Sequence, residues 1–114
     1  MADARFVHLH VHTHFSLLDG ATRIETLIER AKQFDMPAVA ITDHGNMFGA
    51  VEFYQAAVKA GIKPIIGCET YLARGDRKRR DPAEDKDSYH LPLLAMNRQG
   101  YQNLMRLSSV GYLE

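Results

Sequence analysis

Four of the six histidines in this chain stand at alternate positions, His8, His10, His12 and His14, inside the stretch from Phe6 to Gly20. Val7, Leu9 and Val11 fill the places between them. Successive side chains of a strand point to opposite faces, so the pattern predicts one face of imidazoles and one of apolar groups. Same-face neighbours lie roughly 6–7 Å apart at Cα, and two imidazoles at that separation can converge on one metal ion. A purification tag is contiguous and does not alternate with valine and leucine. The plain alternative is a solvated edge strand that happens to be rich in histidine.

Downstream residues keep to the same chemistry. Asp19 stands at an Asp-Gly turn signal. Asp43 and His44 close the apolar run Ala38-Val-Ala-Ile-Thr42 and are followed by Gly45. Glu69 ends Pro64-Ile-Ile-Gly-Cys-Glu, and His90 precedes Leu91-Pro-Leu-Leu-Ala-Met96. Each falls within or at the end of an expected strand, where α/β sheets and barrels assemble their sites. Imidazole with carboxylate suits zinc, manganese or iron better than calcium, and the absence of paired cysteines argues against a structural zinc.

The elements needed to position these groups alternate strand and helix. Strands are expected over residues 5–12, 38–42, 64–72 and 89–96. Thr22 reads as a helix N-cap with Glu25 completing a capping box, and Ile24, Leu27, Ile28, Ala31 and Phe34 give the stripe to bury. Asn46 reads as the cap of a second helix reaching residue 60, with Gly61 at its C-terminal end. A last helix over 98–110 offers Tyr101, Leu104, Met105 and Leu107 for burial. The expected fold class is α/β, with about four mostly parallel strands and helices packed on them. The apolar run at 38–42 predicts a strand covered on both faces. No internal repeat and no second domain is visible.

Composition sets modest bounds. Apolar residues make up 46% and charged residues 25% of the chain, ordinary for a globular domain. Formal net charge is zero, so no global field draws in nucleic acid or membrane. The basic run Arg77-Lys-Arg-Arg80 sits among acidic residues and reads as a solvated loop. No stretch approaches the roughly 18–20 apolar residues of a membrane span. A single cysteine, Cys68, excludes an internal disulfide and suits a reducing cytoplasm.

The segments HLHVHTHFSLLDG, ITDHGNMFGAVEFYQAA, AGIKPIIGCETYLA and GYQNLMRLSSVGYLE carry a family resemblance. They resemble the polymerase and histidinol phosphatase (PHP) family, in the form found at the N-terminal region of bacterial DNA polymerase III alpha subunits. The resemblance implies a distorted seven-stranded (β/α) barrel, of which this length supplies about half by ordinary barrel sizes. Residues 1–114 are then expected to be the N-terminal part of one incomplete domain.

The resemblance also implies a trinuclear metal site. His10 and His12 match its HxH element, Asp19 the next acidic ligand, His44 the histidine of the second motif, Glu69 a metal-bridging carboxylate and His90 the following histidine. Further ligands are expected beyond residue 114. Asp43 is expected behind His44, accepting its ring proton, or as a turn residue before Gly45. Thr13 and Ser16 match the motif, while local caps explain them equally well. His8 and His14 match no ligand and read as surface or supporting residues, and Cys68 as core.

The implied activity is metal-dependent phosphoester hydrolysis, as a 3′–5′ exonuclease in a complete domain, within a DNA-directed DNA polymerase (a nucleotidyltransferase) of the bacterial cytoplasm. The implied partners are DNA, the remainder of the alpha subunit and the proofreading exonuclease subunit, with no membrane. The isolated chain is expected to be inactive and to self-associate through uncovered strand edges. Two other readings remain open: a scaffold that docks the proofreading subunit without chemistry of its own, and a free phosphatase of the histidinol-phosphate kind.

Overall fold

A computed structural model of the chain describes residues 6–79, 82–85 and 88–114. The central sheet has three strands in the order β1-β2-β3. These are β1 (Ala38–Ile41), β2 (Lys63–Leu72) and β3 (Tyr89–Leu94). The helices are α1 (Ile24–Gln33), α2 (Ala50–Ala60), the short α3 (Pro82–Asp85) and α4 (Arg98–Leu113).

The core lies where α1 and α2 cover the sheet. Ile24, Ile28 and Ala31 of α1 meet Phe53 and Ala57 of α2, with Val39 and Ile41 of β1 and Ile62 beneath them. Every residue of β1 is buried, as its unbroken apolar run predicts. Leu27 packs at the edge of this cluster. Phe34 does not join it, because α1 ends at Gln33, Phe34 is the C-cap, and Asp35 turns the chain at a positive φ of 51°. Gly61 closes α2 in the left-handed conformation, φ 74°, as expected.

Several expectations need correction. The sheet is mixed: β1 and β2 run parallel, whereas β3 pairs antiparallel with β2, setting His90 opposite Tyr71 and Pro92 opposite Glu69. Pro92, which has no N–H to give, stands in the outer strand of the sheet, where that costs no ladder bond. α1 begins after Arg23 with no side-chain cap, and the Thr22 carbonyl accepts from His14 N–H. Asn46 does not cap α2, which starts after Gly49; its amide instead donates to the carbonyls of Phe15 and His44 while its Oδ1 accepts from Phe48 N–H. Of the four residues offered by α4, only Leu104 is fully buried.

The first expected strand is the largest departure. Its start, at residue 5, lies outside the described residues, and residues 6–12 form no ladder. Ala40 N–H donates to the His8 carbonyl and Thr42 N–H to the Val11 carbonyl. Two residues of advance along one segment therefore match three along the other, an extra residue of the kind that makes a β-bulge. The Thr42 hydroxyl takes up the slack by accepting from Val11 N–H.

Candidate metal centre

Past the end of β1 the parallel pairing with β2 continues as an isolated bridge between His44 and Glu69. Glu69 N–H donates to the Asp43 carbonyl and Gly45 N–H to the Glu69 carbonyl. That bridge sets His44 beside Glu69. Gly45, at φ 61°, turns the chain in a conformation that a β-carbon would strain.

Glu69 is 2% exposed, yet among the described residues its carboxylate meets only imidazoles. Oε2 accepts from His10 Nε2 at 2.6 Å and contacts His12 Nε2 closely. Oε1 lies 2.8 Å from His90 Nδ1. A second layer forms on Asp19, whose Oδ2 is 2.8 Å from His44 Nε2 and 3.4 Å from His12 Nδ1. Burial pushes the Glu69 carboxyl up, but the hydrogen bonds from His10 and His12 and the charge of His44 outweigh it and bring it down to about 2. The hydrogen bond from His44 holds the exposed Asp19 below the usual carboxylate range.

A different set of contacts fixes the loop that carries these groups. Asp43 is 1% exposed and does not reach the His44 ring as expected. Its Oδ1 accepts from Thr13 N–H at 2.6 Å and from the Ser16 hydroxyl at 2.7 Å, and its Oδ2 accepts from the Thr13 hydroxyl at 2.8 Å. Ser16 Oγ in turn accepts from His44 N–H. Asp43 thus supports His44 through the backbone, by way of Ser16. Gly20 is required next to Asp19, because a β-carbon there would lie 1.9 Å from the Thr13 carbonyl oxygen.

All six ligand candidates read from the sequence converge. They form three overlapping groups, His10–His12–Glu69, His12–Asp19–His44 and His44–Glu69–His90, with donor atoms within 4.8 Å of one another in each. His8 is exposed, and His14 packs against Phe15 at 4.3 Å, so neither joins them. Cys68, on the opposite face of β2, is buried, and that burial raises its thiol pKa. The donor set fits divalent metal ions: it is all nitrogen and oxygen, with one buried carboxylate enclosed by imidazoles and a second beside it.

The residue that sequence reasoning missed is Tyr71. Its hydroxyl lies 3.4 Å from His44 Nδ1, and its ring meets His90 edge-on at 4.9 Å. The available signal was its place two residues after Glu69, on the same face of the strand. Burial, followed by the charges of Glu69 and Asp19, raises its phenol pKa.

The chain is 55% identical over 113 residues to the DNA polymerase III subunit alpha of Borreliella burgdorferi, covering 97% of this chain and 10% of that protein. The subunits of Helicobacter pylori and Thermus aquaticus are 53% and 54% identical, each over 96% of this chain and 9% of their own length. The chain therefore spans about a tenth of the length of the curated relatives it matches.

Among solved structures it is similar to one described provisionally as a metal-dependent phosphoesterase, from Bifidobacterium adolescentis. The TM-score is 0.63 at 25% identity, over 90% of this chain and 33% of that one. An amidohydrolase from Chromobacterium violaceum shares the fold with a TM-score of 0.61 at 24% identity, over 88% of this chain and 32% of its own. The profile of the PHP domain matches residues 8–114, a span that takes in every histidine and carboxylate of the cluster, and the chain belongs to that family.

Proposed function

We propose that this chain is the metal-binding part of the PHP region of a DNA polymerase III alpha subunit, and that it serves phosphoester hydrolysis. The observation that carries the reading is Glu69, a buried carboxylate whose two oxygens are divided between His10 and His12 on one side and His90 on the other. Structural carboxylates are commonly closed off by backbone N–H groups or hydroxyls, as Asp43 is. Imidazoles, by contrast, can give up a proton and present a lone pair to an ion.

His10, His12, Asp19, His44, Glu69 and His90 would hold zinc, manganese or iron, up to three ions in a complete domain, with Glu69 shared between neighbouring positions. Bound ions supply Lewis acidity toward a phosphoryl oxygen and lower the pKa of coordinated water. The protein's part is to fix the donors: Asp43 anchors the loop behind His44, and the Glu69 side chain keeps three imidazoles on one side of the sheet. In the complete subunit the substrate class would be DNA 3′ ends, and the partners would be the rest of the alpha subunit and the proofreading subunit, in the bacterial cytoplasm. Among the described residues no helix is long and apolar enough to cross a membrane.

Calorimetric titration of zinc or manganese tests the reading. Wild type should bind, and the double variant His10→Ala/His12→Ala should lose at least tenfold in affinity. Identical titrations of the two proteins would overturn the assignment. The chain spans 33% of the phosphoesterase structure it resembles, so p-nitrophenyl phosphate and a 3′-labelled oligonucleotide should be turned over slowly or not at all by the isolated chain, even with manganese. Rapid turnover abolished by Glu69→Ala would show instead that these six side chains suffice.

A further inference from the structure

His44 turns its two ring nitrogens toward two different donor groups. Nε2 lies 2.8 Å from Asp19 Oδ2, while Nδ1 faces Glu69 Oε2 at 3.9 Å and the Tyr71 hydroxyl at 3.4 Å. The residue accordingly belongs to both the His12–Asp19–His44 and the His44–Glu69–His90 groups. A neutral imidazole has one nitrogen lone pair to give and one N–H, so it cannot serve both groups at once. Something must set which nitrogen is free.

Tyr71 is placed to do so. Its ring lies 13° from parallel with that of His44, centroids 6.1 Å apart. It stands directly opposite His90 in the β2–β3 pairing. Gly45 leaves that side clear, since the nearest atom to a β-carbon built there is the Tyr71 ring itself, 3.5 Å away. Phenylalanine would keep this packing and lose only the hydroxyl.

We propose, resting on the metal-binding reading above, that Tyr71 is a positioning residue whose hydroxyl commits His44 to the Asp19 side of the site. In the ion-free protein each ring nitrogen faces a carboxylate that can only accept, Asp19 at Nε2 and Glu69 at Nδ1; the Tyr71 hydroxyl, by donating to Nδ1, selects the form in which Nε2 carries the proton. When Nε2 gives its lone pair to an ion, its proton passes to solvent and Nδ1 takes one up. Nδ1 then donates to the same hydroxyl oxygen. A hydroxyl both donates and accepts, whereas a carboxylate or an ammonium at this place would satisfy one state alone. The group around Glu69 and His90 would then be without a His44 nitrogen, and His44 would join His12 and Asp19 in holding an ion.

The test reads His44 itself. Long-range proton–nitrogen correlation spectra of the full chain, with and without zinc, report which ring nitrogen carries the proton, and calorimetry with zinc reports affinity. Wild type should show Nε2–H without the ion and Nδ1–H with it. Tyr71→Phe should mix the two forms and weaken zinc binding ten- to a hundredfold, with unchanged amide dispersion. Zinc on Nδ1 in wild type would overturn the proposal, as would Tyr71→Phe matching wild type in both readouts. So would a loss seen in Tyr71→Ala and absent in Tyr71→Phe, since that would assign the effect to ring packing. If wild type takes up no zinc, the metal reading fails. The ion-free spectra then decide for Tyr71 alone: an Nε2–H form that persists in Tyr71→Phe counts against it.

Discussion

Two carboxylates are buried a few ångströms of backbone apart, and they are satisfied in opposite ways. Asp43 is closed by one backbone N–H and two hydroxyls, donors that keep a proton across the ordinary pH range. Glu69 is closed by imidazoles. The first arrangement suits holding and the second suits exchange, because a histidine proton can be replaced by an ion and an amide proton cannot. The two regions meet at His44, whose backbone belongs to the Asp43 bracket and whose ring belongs to the Glu69 cluster. The difference separates what makes the fold from what makes the site.

The sharpest way to break this contrast is substitution of each carboxylate. Asp43→Ala leaves three buried donors without partners and should cost about 3–5 kcal/mol in urea unfolding, at ~1–3 kcal/mol for each unsatisfied group less some relaxation. Glu69→Gln, which keeps an acceptor in place, should cost less than Asp43→Ala while abolishing zinc uptake at His10 and His12. The reverse order of stabilities would mean that the cluster, and not the bracket, carries the loop.

Acid should separate the regions next. The Glu69 carboxyl is lowered from 4.5 to about 2 in the fold. A group depressed in this way adds stability that is fully present above its unfolded value and lost as the pH falls through its folded value. Wild-type stability should therefore decline between about pH 4.5 and 2, and Glu69→Gln should flatten that limb. Asp19 is also lowered, but it is exposed, so solvent screens its share. An unchanged acid limb in Glu69→Gln would place the titrating group elsewhere.

The smallest effect tests the seam between the regions. Gly45→Ala introduces a β-carbon that space permits, 3.5 Å from the Tyr71 ring, at a φ of 61°. The left-handed conformation alone should cost about 1–2 kcal/mol, measurable as a shift in the urea midpoint. A loss well above that would show that the Tyr71 ring cannot give way.

The site was more legible in the sequence than the scaffold that supports it. His10 and His12 announce themselves through residue type and alternation, Glu69 through its place at the end of a strand and the family resemblance, and those signals are local. The Asp43 bracket is not local: Thr13 and Ser16 lie 30 and 27 residues away, and nothing in their spacing states that they share one carboxylate. The same holds for β3, whose apolar run is compatible with either direction until pairing with β2 decides it. Thr22 looks like a helix cap by type, yet α1 starts one residue later, after Arg23, with no side-chain cap. Local chemistry was readable, and competition between distant partners was not.

The surplus residue in the segment beside β1 constrains which length changes this gene can tolerate there. Deleting one residue between His8 and Val11 would let the segment form an even ladder, the more regular backbone pairing. It would also either remove His10 or leave it as the single residue between the two anchors, where strand alternation re-aims its side chain, so that Glu69 would lose its His10 partner. Selection on this stretch would thus act against a change that makes its pairing more regular, and the irregularity would persist because the regular alternative is inert.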